Sequence, residues 1–389
     1  MDLAERRLLV ISHPAVTSVN QEVYRELARR GWDVTIVLPS RWRHSYSAAA
    51  VTPQALDGLQ DALRPTPVAF AGAQQRHLYL TSCRLVCARS RPDVAFIEAE
   101  PFALCATQWS LTFTRLGIPF GVQCYENIDR DLPAPVRRLR SRVLRKAAFV
   151  AARSDSAARL ARAWGARGEV KLAPPAVPTW ERPPVAPERE GGQRFKEGGH
   201  RFKEGEQRFT IGYAGRLVES KGLMDLLGAV RMLDGPVELL LIGAGELRAQ
   251  LEGQPIPGSQ VRVLDKLTHA QMARGYAQLD VLVLPSRTTP RWKEQFGRVI
   301  VEALWCGVPV VGSDSGEIPW LIELTGGGLV FPEGDRDALA AQLTRLREAP
   351  PLREQLAGAG KAAVEKLFSV PAATDPLERL LVGASASRR

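Results

Sequence analysis

The 389-residue chain lacks several things that would decide its class at once. No apolar run reaches the roughly 18 residues that mark a membrane-spanning helix. The first residues, MDLAERR, lead straight towards a short apolar strand without a small-residue cleavage pattern, so no signal peptide is expected and the cytoplasm is the expected compartment. Cysteine is sparse: Cys83, Cys87, Cys105, Cys124 and Cys306 form neither a disulfide framework nor a ligand set, and five histidines are scattered. A structural metal is therefore not expected. A complete G-x-G-x-x-G is missing too. Gly243-Ala244-Gly245 has no third glycine, which argues against a dinucleotide oxidoreductase. No interleaved aromatic–basic motif supports nucleic-acid binding, which would rest on charge alone.

What is present is globular. Hydrophobic residues make up 45% and charged residues 24%, and the length suits two domains of ordinary size. The net charge of +10 is unevenly placed. Residues 1–178 hold 25 Lys and Arg against 15 Asp and Glu, leaving 27 of each in the remainder. A basic first half can attract anionic lipid or phosphorylated substrate, or can be only a soluble surface.

The chain is organised around Trp292 to Ile318, WKEQFGRVIVEALWCGVPVVGSDSGEI. Val299 to Trp305 is apolar except for Glu302 and reads as a buried helix. Gly297 at its start allows close backbone approach, and a helix N-terminus there offers free N–H groups to an anion. Glu294 and Glu302 are eight apart. Eight helical residues rise about 12 Å, so the two carboxylates can accept hydrogen bonds from opposite ends of one extended ligand. Upstream, the strand beginning at Phe209 ends in Gly215-Arg216, and Lys221-Gly222 opens a helix from Leu223 to Leu233. Two cations beside a glycine-freed helix start make a diphosphate site.

These two motifs, G-R-x4-K-G and E-x7-E, lie about 80 residues apart, and together they resemble the retaining glycosyltransferases of family four. The resemblance runs from Phe209 to Leu346 and continues more weakly over the first half. It implies the α/β GT-B fold: two doubly wound, Rossmann-like domains facing a central cleft. It further implies that Arg216 and Lys221 hold the donor pyrophosphate, with Gly215 in the same turn. Glu294 would contact the donor sugar, the backbone of Phe296 and Gly297 would meet the sugar and distal phosphate, and Glu302 would hold the ribose. The nucleotide base would sit by Asp265-Lys266-Leu267. A glycine common there in the family is absent, so the base stays open.

The first half reads as β-α-β: Leu8 to Ser12, a helix from Asn20 to Arg30 closed by Gly31, then Val34 to Leu38. Further strands are expected at Val68–Phe70, Asp93–Ile97, Phe120–Cys124, Phe149–Ala152 and Glu169–Leu172. In doubly wound sheets ligands lie beyond the strand C-termini. That singles out His13, Glu100, Glu126 and Asn127 for acceptor contact, with Glu126 and His13 also candidates for proton transfer. The family's glycine-rich loop after the first strand is here HPAVTS, a departure from the pattern. Val136 to Ala148 carries five arginines and one lysine around an apolar face, the pattern of an interfacial helix and equally of a surface helix packed on a sheet.

The expected organisation is a first, acceptor-binding domain over 1–178, a linker over 179–208, a donor-binding domain over 209–370 and a tail over 371–389. The linker carries a seven-residue repeat, QRFKEGG then HRFKEGE, read as an exposed insertion. The tail, with one short helical segment from Phe368, is expected to cross back to the first domain. The function implied is a retaining, metal-independent hexosyltransferase. It would move a sugar from a nucleotide-diphosphate sugar to a glycan or lipid-linked acceptor, in bacterial surface polysaccharide or glycolipid synthesis. No cofactor is called for beyond the donor substrate. Peripheral contact with an anionic membrane through 136–148 is expected, at the inner face of the plasma membrane. The alternatives are a nucleotide-sugar epimerase and a catalytically idle nucleotide-sugar or polyanion-binding protein.

Overall fold

A computed structural model describes residues 6–43, 50–177, 180, 209–252, 254, 256, 260–265 and 267–386. The repeat over 193–208 and Lys266 lie outside the described residues. The chain divides into two compact units, Met1–Thr179 with Lys366–Arg389, and Trp180–Glu365.

The first unit is built on a seven-stranded, all-parallel sheet. From edge to edge its strands are Glu169–Leu172, Phe149–Ala152, Phe120–Cys124, Val94–Glu98, Arg6–Ser12, Trp32–Pro39 and Leu63–Thr66. The strand order reverses between Arg6–Ser12 and Val94–Glu98, the switch point of a doubly wound sheet. Strands buried on both faces need continuous apolar runs, and Leu8 to Ile11 are all at most 1% exposed. One face packs Trp109, Phe113, Val143 and Leu144. The other packs Tyr24, Leu27 and, from the far end of the chain, Leu377, Leu380, Leu381 and Ala384.

Two expectations for this unit need correction. The sheet's edge strand is Leu63–Thr66, whereas Val68–Ala69 pairs antiparallel with Leu78–Tyr79 in a separate two-stranded piece. Pro65 hides the edge strand from sequence reading, yet an edge position tolerates a residue without an N–H. The tail is not one short segment. It is a 17-residue helix, Val370–Ala386, which follows directly on a 19-residue helix, Pro350–Phe368. Pro371, Pro376 and Gly383 look like breakers. The spacing of Leu377, Leu380, Leu381 and Ala384 is that of one helix face, and its burial against the sheet prevails over local propensity. Arg30 bonds Asp375 and Glu378 at 2.7 Å each, and the Trp32 indole N–H donates to Glu378 at 3.0 Å.

The second unit holds six parallel strands in the order Gln260–Leu264, Val237–Ile242, Phe209–Ala214, Val281–Leu284, Val310–Ser313, Gly328–Phe331. Numbered along the chain this is 3-2-1-4-5-6, the other doubly wound half, with its switch point beside Phe209–Ala214. The helices Leu223–Arg231 and Arg298–Trp305 follow the strands flanking that point.

Candidate functional site

Beyond the second unit's switch point, the motif residues come together. The strand Phe209–Ala214 runs out at Gly215, whose N–H bonds Ile242 O at 2.9 Å, while Leu217 N–H bonds Ala244 O at 2.9 Å. So Gly243-Ala244-Gly245 braces the Gly215–Leu217 turn. The buried Tyr213 hydroxyl donates to Arg216 O at 2.7 Å, pinning the backbone of that turn from below. The Arg216 side chain is left exposed, and it makes no hydrogen bond or ion pair among the described residues.

Lys221 ends a short 3₁₀ turn just before Gly222, the N-cap of helix Leu223–Arg231. Its ammonium lies 2.5 Å from Glu294 Oε2 and 4.5 Å from the centroid of the Trp292 ring. The Ser286 hydroxyl donates to the same Glu294 oxygen at 2.9 Å, and the Ser313 hydroxyl donates to Ser286 O at 2.6 Å. Glu294 is 9% exposed. Its backbone is fixed as well. Glu317 N–H bonds Glu294 O at 3.0 Å, and a Cβ at Gly316 (φ +60) would come within 2.0 Å of that oxygen. The Gly-Glu-Ile segment that ends the organising stretch is thus a clamp on Glu294.

Gly297, with φ +71, caps helix Arg298–Trp305, a conformation few residues but glycine adopt. Phe296 turns its side chain into the core, 3% exposed and with its ring 6.5 Å from Trp320. Glu302 lies in the second turn of the helix. Tyr276 donates to its Oε2 at 2.8 Å and Arg298 lies 3.4 Å from its Oε1. Burial pushes the Glu302 carboxyl above the usual range, against the opposing pull of Arg298 and the Tyr276 hydroxyl. Tyr276 was not singled out by sequence. The signal that could have found it is faint: an aromatic just ahead of the strand that leads into the organising stretch.

The first unit places its candidates at the C-terminal ends of its central strands. His13 follows the strand Arg6–Ser12, with its ring 5.0 Å from Trp42 and 5.1 Å from His77. His77 was missed by sequence reading. It is 1% exposed, and burial pushes its imidazole towards the neutral form. Glu100 accepts from Tyr125 N–H at 2.7 Å through Oε1. Its Oε2 finds no hydrogen-bond partner among the described residues. Burial, reinforced by the Glu126 charge and opposed by the Tyr125 N–H, pushes Glu100 up to about 8, so it is largely protonated at neutral pH. Glu126 is buried and heavily engaged. It accepts from Asn127 N–H and Ile128 N–H at 3.2 Å each and from Arg130 Nε at 2.6 Å. Asn127 is 4% exposed.

A further network was not foreseen. Glu98 receives the hydroxyls of Ser12 at 2.6 Å and Tyr24 at 2.5 Å, and Arg153 at 3.1 Å. Arg153 also donates to Gln123 at 2.6 Å. It ties four neighbouring strand ends together with every carboxylate oxygen occupied, a scaffold rather than an open site.

The helix Ala134–Lys146 forms as expected, but its apolar face is spent on the core. Val143 and Leu144 are buried, and Arg140 stacks 4.0 Å from the Trp164 ring. No group of three or more His, Cys, Asp or Glu suited to a metal occurs among the described residues. No helix among them is long and apolar enough to cross a membrane.

Comparison with known proteins places these halves. The family model described as "Glycosyl transferases group 1" matches residues 198–363, and that described as "Glycosyl transferase 4-like domain" matches residues 15–176. The amylovoran biosynthesis glycosyltransferase AmsK of Erwinia amylovora is 34% identical over 173 residues, 43% of this chain and 42% of that protein. A GDP-mannose-dependent monoacylated alpha-(1-6)-phosphatidylinositol monomannoside mannosyltransferase of Corynebacterium glutamicum is 29% identical over 213 residues, 53% of this chain and 54% of that protein. The chain spans about half the length of the curated relatives it matches. Among solved structures, Anabaena HepE in complex with UDP aligns with a TM-score of 0.69 at 16% identity, covering 97% of this chain and 100% of that one. Sucrose-phosphate synthase from Thermosynechococcus elongatus aligns with a TM-score of 0.68 at 19% identity, covering 98% and 100%.

Proposed function

We infer, for a chain that belongs to the family-four glycosyltransferases of GT-B fold, that it transfers a hexose from a nucleotide-diphosphate sugar to a hydroxyl of a glycan or lipid-linked acceptor, with retention. The observation that carries this reading is the meeting of Lys221 and Glu294 at 2.5 Å across 73 residues of chain, next to the exposed Arg216. Two cations beside the N-terminus of Leu223–Arg231 suit a diphosphate. On donor binding, Lys221 turns to the pyrophosphate and Glu294 is released to the sugar hydroxyls. Arg216 and Lys221 then offset the charge that develops on the departing nucleotide diphosphate, a task needing no metal. Glu302 holds the ribose, its orientation set by Tyr276. The backbone at Gly215, Phe296 and Gly297 lines the phosphate and sugar.

On the acceptor side, Glu126 is bound up with Arg130 and its own turn, so it serves as a positioning residue for Asn127. Glu100, protonated at neutral pH, donates a hydrogen bond to an acceptor oxygen. His13 is left as the side chain for proton transfer, and the donor's own phosphate oxygen is the other group that can take the proton. The relatives act in surface polysaccharide and glycolipid synthesis by their names, and we assign this chain to that kind of pathway, at the cytoplasmic face. Contact of 136–148 with an anionic membrane reduces to the charge of the exposed Arg137, Arg138, Arg142, Arg145 and Lys146, since the apolar face is buried.

The test is a thermal-shift panel of UDP, GDP and ADP, with and without their sugars, on the wild type and Arg216→Ala. UDP goes first because HepE was solved with UDP and UDP-glucose. A ligand at 100 times its Kd stabilises by about 2.7 kcal/mol. One series should stand out and lose its effect in Arg216→Ala. A shift without donor turnover on crude lipid acceptors would favour an idle nucleotide-sugar-binding protein, and no shift by any of them with no turnover an idle polyanion-binding protein.

A further inference from the structure

The first unit carries a surface of a different kind. From Ala62 to Pro92 the sequence holds five arginines and no Asp or Glu. The structure sets its second half out as the helix Cys83–Ser90, N-capped by Ser82 and closed by Arg91. Cys83 and Cys87 face the core. Arg84, Leu85, Ala88, Arg89 and Arg91 face out, and Leu85 is 48% exposed. Just ahead of the helix, Leu80 is 62% exposed. None of Arg84, Arg89 and Arg91 has an ion-pair partner among the described residues. Arg91 holds a left-handed backbone, φ +43, at the cap position where glycine is usual. Beside the helix opens a cleft of about 640 Å³. Arg7, Arg84 and Arg91 ring it, Leu85, Leu116 and Ile118 give it an apolar side, and its acid, Asp93, is held by Arg7 at 3.1 Å.

We propose that this helix face and cleft are the docking surface of the first unit for an anionic phospholipid bilayer, with lipid phosphates between Arg84 and Arg91 and the side chains of Leu80 and Leu85 in the interfacial layer. Exposed leucines flanked by unpaired cations with no nearby free acid are what such an interface selects. The placement suits a lipid-linked acceptor. The helix runs from the acceptor end of the sheet, where His77 contacts His13, to the strand-start end at Asp93. A bilayer along it would reach the end where His13 sits. The proposal does not depend on the transfer reaction.

The experiment is co-sedimentation of the full chain with phosphatidylcholine vesicles, with and without phosphatidylglycerol. Binding is expected only with phosphatidylglycerol and should fall with added salt. Each cation near an anionic surface contributes about 1 kcal/mol, so Arg84→Gln with Arg91→Asn should lower the partition coefficient about 30-fold. Leu85→Ser should weaken binding without altering its salt dependence. Arg274→Gln with Arg345→Gln, exposed arginines of the second unit and equal in charge lost, should leave it nearly unchanged, and melting temperatures confirm that each variant folds. The proposal is overturned if the control pair loses as much as the test pair, if neutral vesicles bind equally, or if inorganic phosphate at constant ionic strength displaces the vesicles, which would mark a soluble-phosphate site.

Discussion

The Lys221–Glu294 pair allows a quantitative test. Both side chains are 12% exposed, the atoms are 2.5 Å apart, and the ammonium also lies over Trp292. Removing one member of a largely buried pair leaves the other charge uncompensated, at about 3–5 kcal/mol. Lys221→Met should therefore destabilise the second unit by about 3 kcal/mol, including about 1 kcal/mol for the lost contact with the Trp292 face. Glu294→Gln should cost less, since an amide still accepts from Ser286. In the double variant no charge is stranded, so the effects should fall short of additivity by about 2 kcal/mol. For a unit of this size, 3 kcal/mol is about 6–12 °C in Tm. Calorimetry on the full chain, with the four proteins side by side, reads the coupling. A saturating nucleotide sugar supplies the second arm: it takes over Lys221, so the coupling should shrink in its presence. Strict additivity without ligand would show that the pair does not form in solution. A coupling that ligand leaves untouched would refute the handover on which the proposed donor binding rests.

Gly316→Ala should displace Glu294, because its Cβ would meet the Glu294 carbonyl at 2.0 Å in a left-handed backbone. A fall in kcat larger than the fall in nucleotide affinity is expected, measured by turnover and titration, and an unchanged kcat would count against the clamp. Tyr276→Phe removes the donor to Glu302 Oε2 and should weaken nucleotide binding about tenfold, with about 1–2 kcal/mol of stability lost, by calorimetric titration and melting. Glu100 gives a pH signature. Its folded value, about 8, lies above the ordinary 4.5, so its contribution is full below about 4.5 and is lost as pH rises towards 8. Glu100→Gln should flatten that stretch of the Tm–pH curve, and a parallel curve would contradict the protonated form. Leu381→Ala, in a helix face fully buried against the first sheet, should cost about 2–5 kcal/mol by chemical denaturation.

The second unit was largely legible because its elements announce themselves by continuous apolar runs bounded by glycine. The strand at Phe209 begins where the patterning puts it and runs out at the Gly215 turn. The two motifs, G-R-x4-K-G and E-x7-E, were legible as residue types at fixed spacing. What could not be read was how they meet. Nothing in the spacing says that Lys221 rests on Glu294 and Trp292, that Ser286 and Ser313 support the pair, or that Tyr276 reaches Glu302. These contacts span 8 to 73 residues of chain and depend on how strands are ordered in the sheet, which sequence periodicity does not encode.

The first unit shows the opposite limit. Its candidates were chosen by position at strand ends, and position alone does not tell an available carboxylate from an occupied one. Glu100 and Glu126 look alike in sequence, each an acid just past an apolar strand. Arg130, four residues after Glu126 in the same loop, draws that carboxylate into the loop, and the burial of Glu100 beside that charge keeps its proton on. A free base at neutral pH is therefore missing from both. The same logic applies to the cationic helices. Ala134–Lys146 has the stronger amphipathic pattern, and for that reason the core takes its apolar face. The weaker pattern, Cys83–Ser90, turns its cysteines inward and leaves leucine and arginine together on the outside. A surface for a partner is made of what the core did not use, so it is found after packing is known and not before.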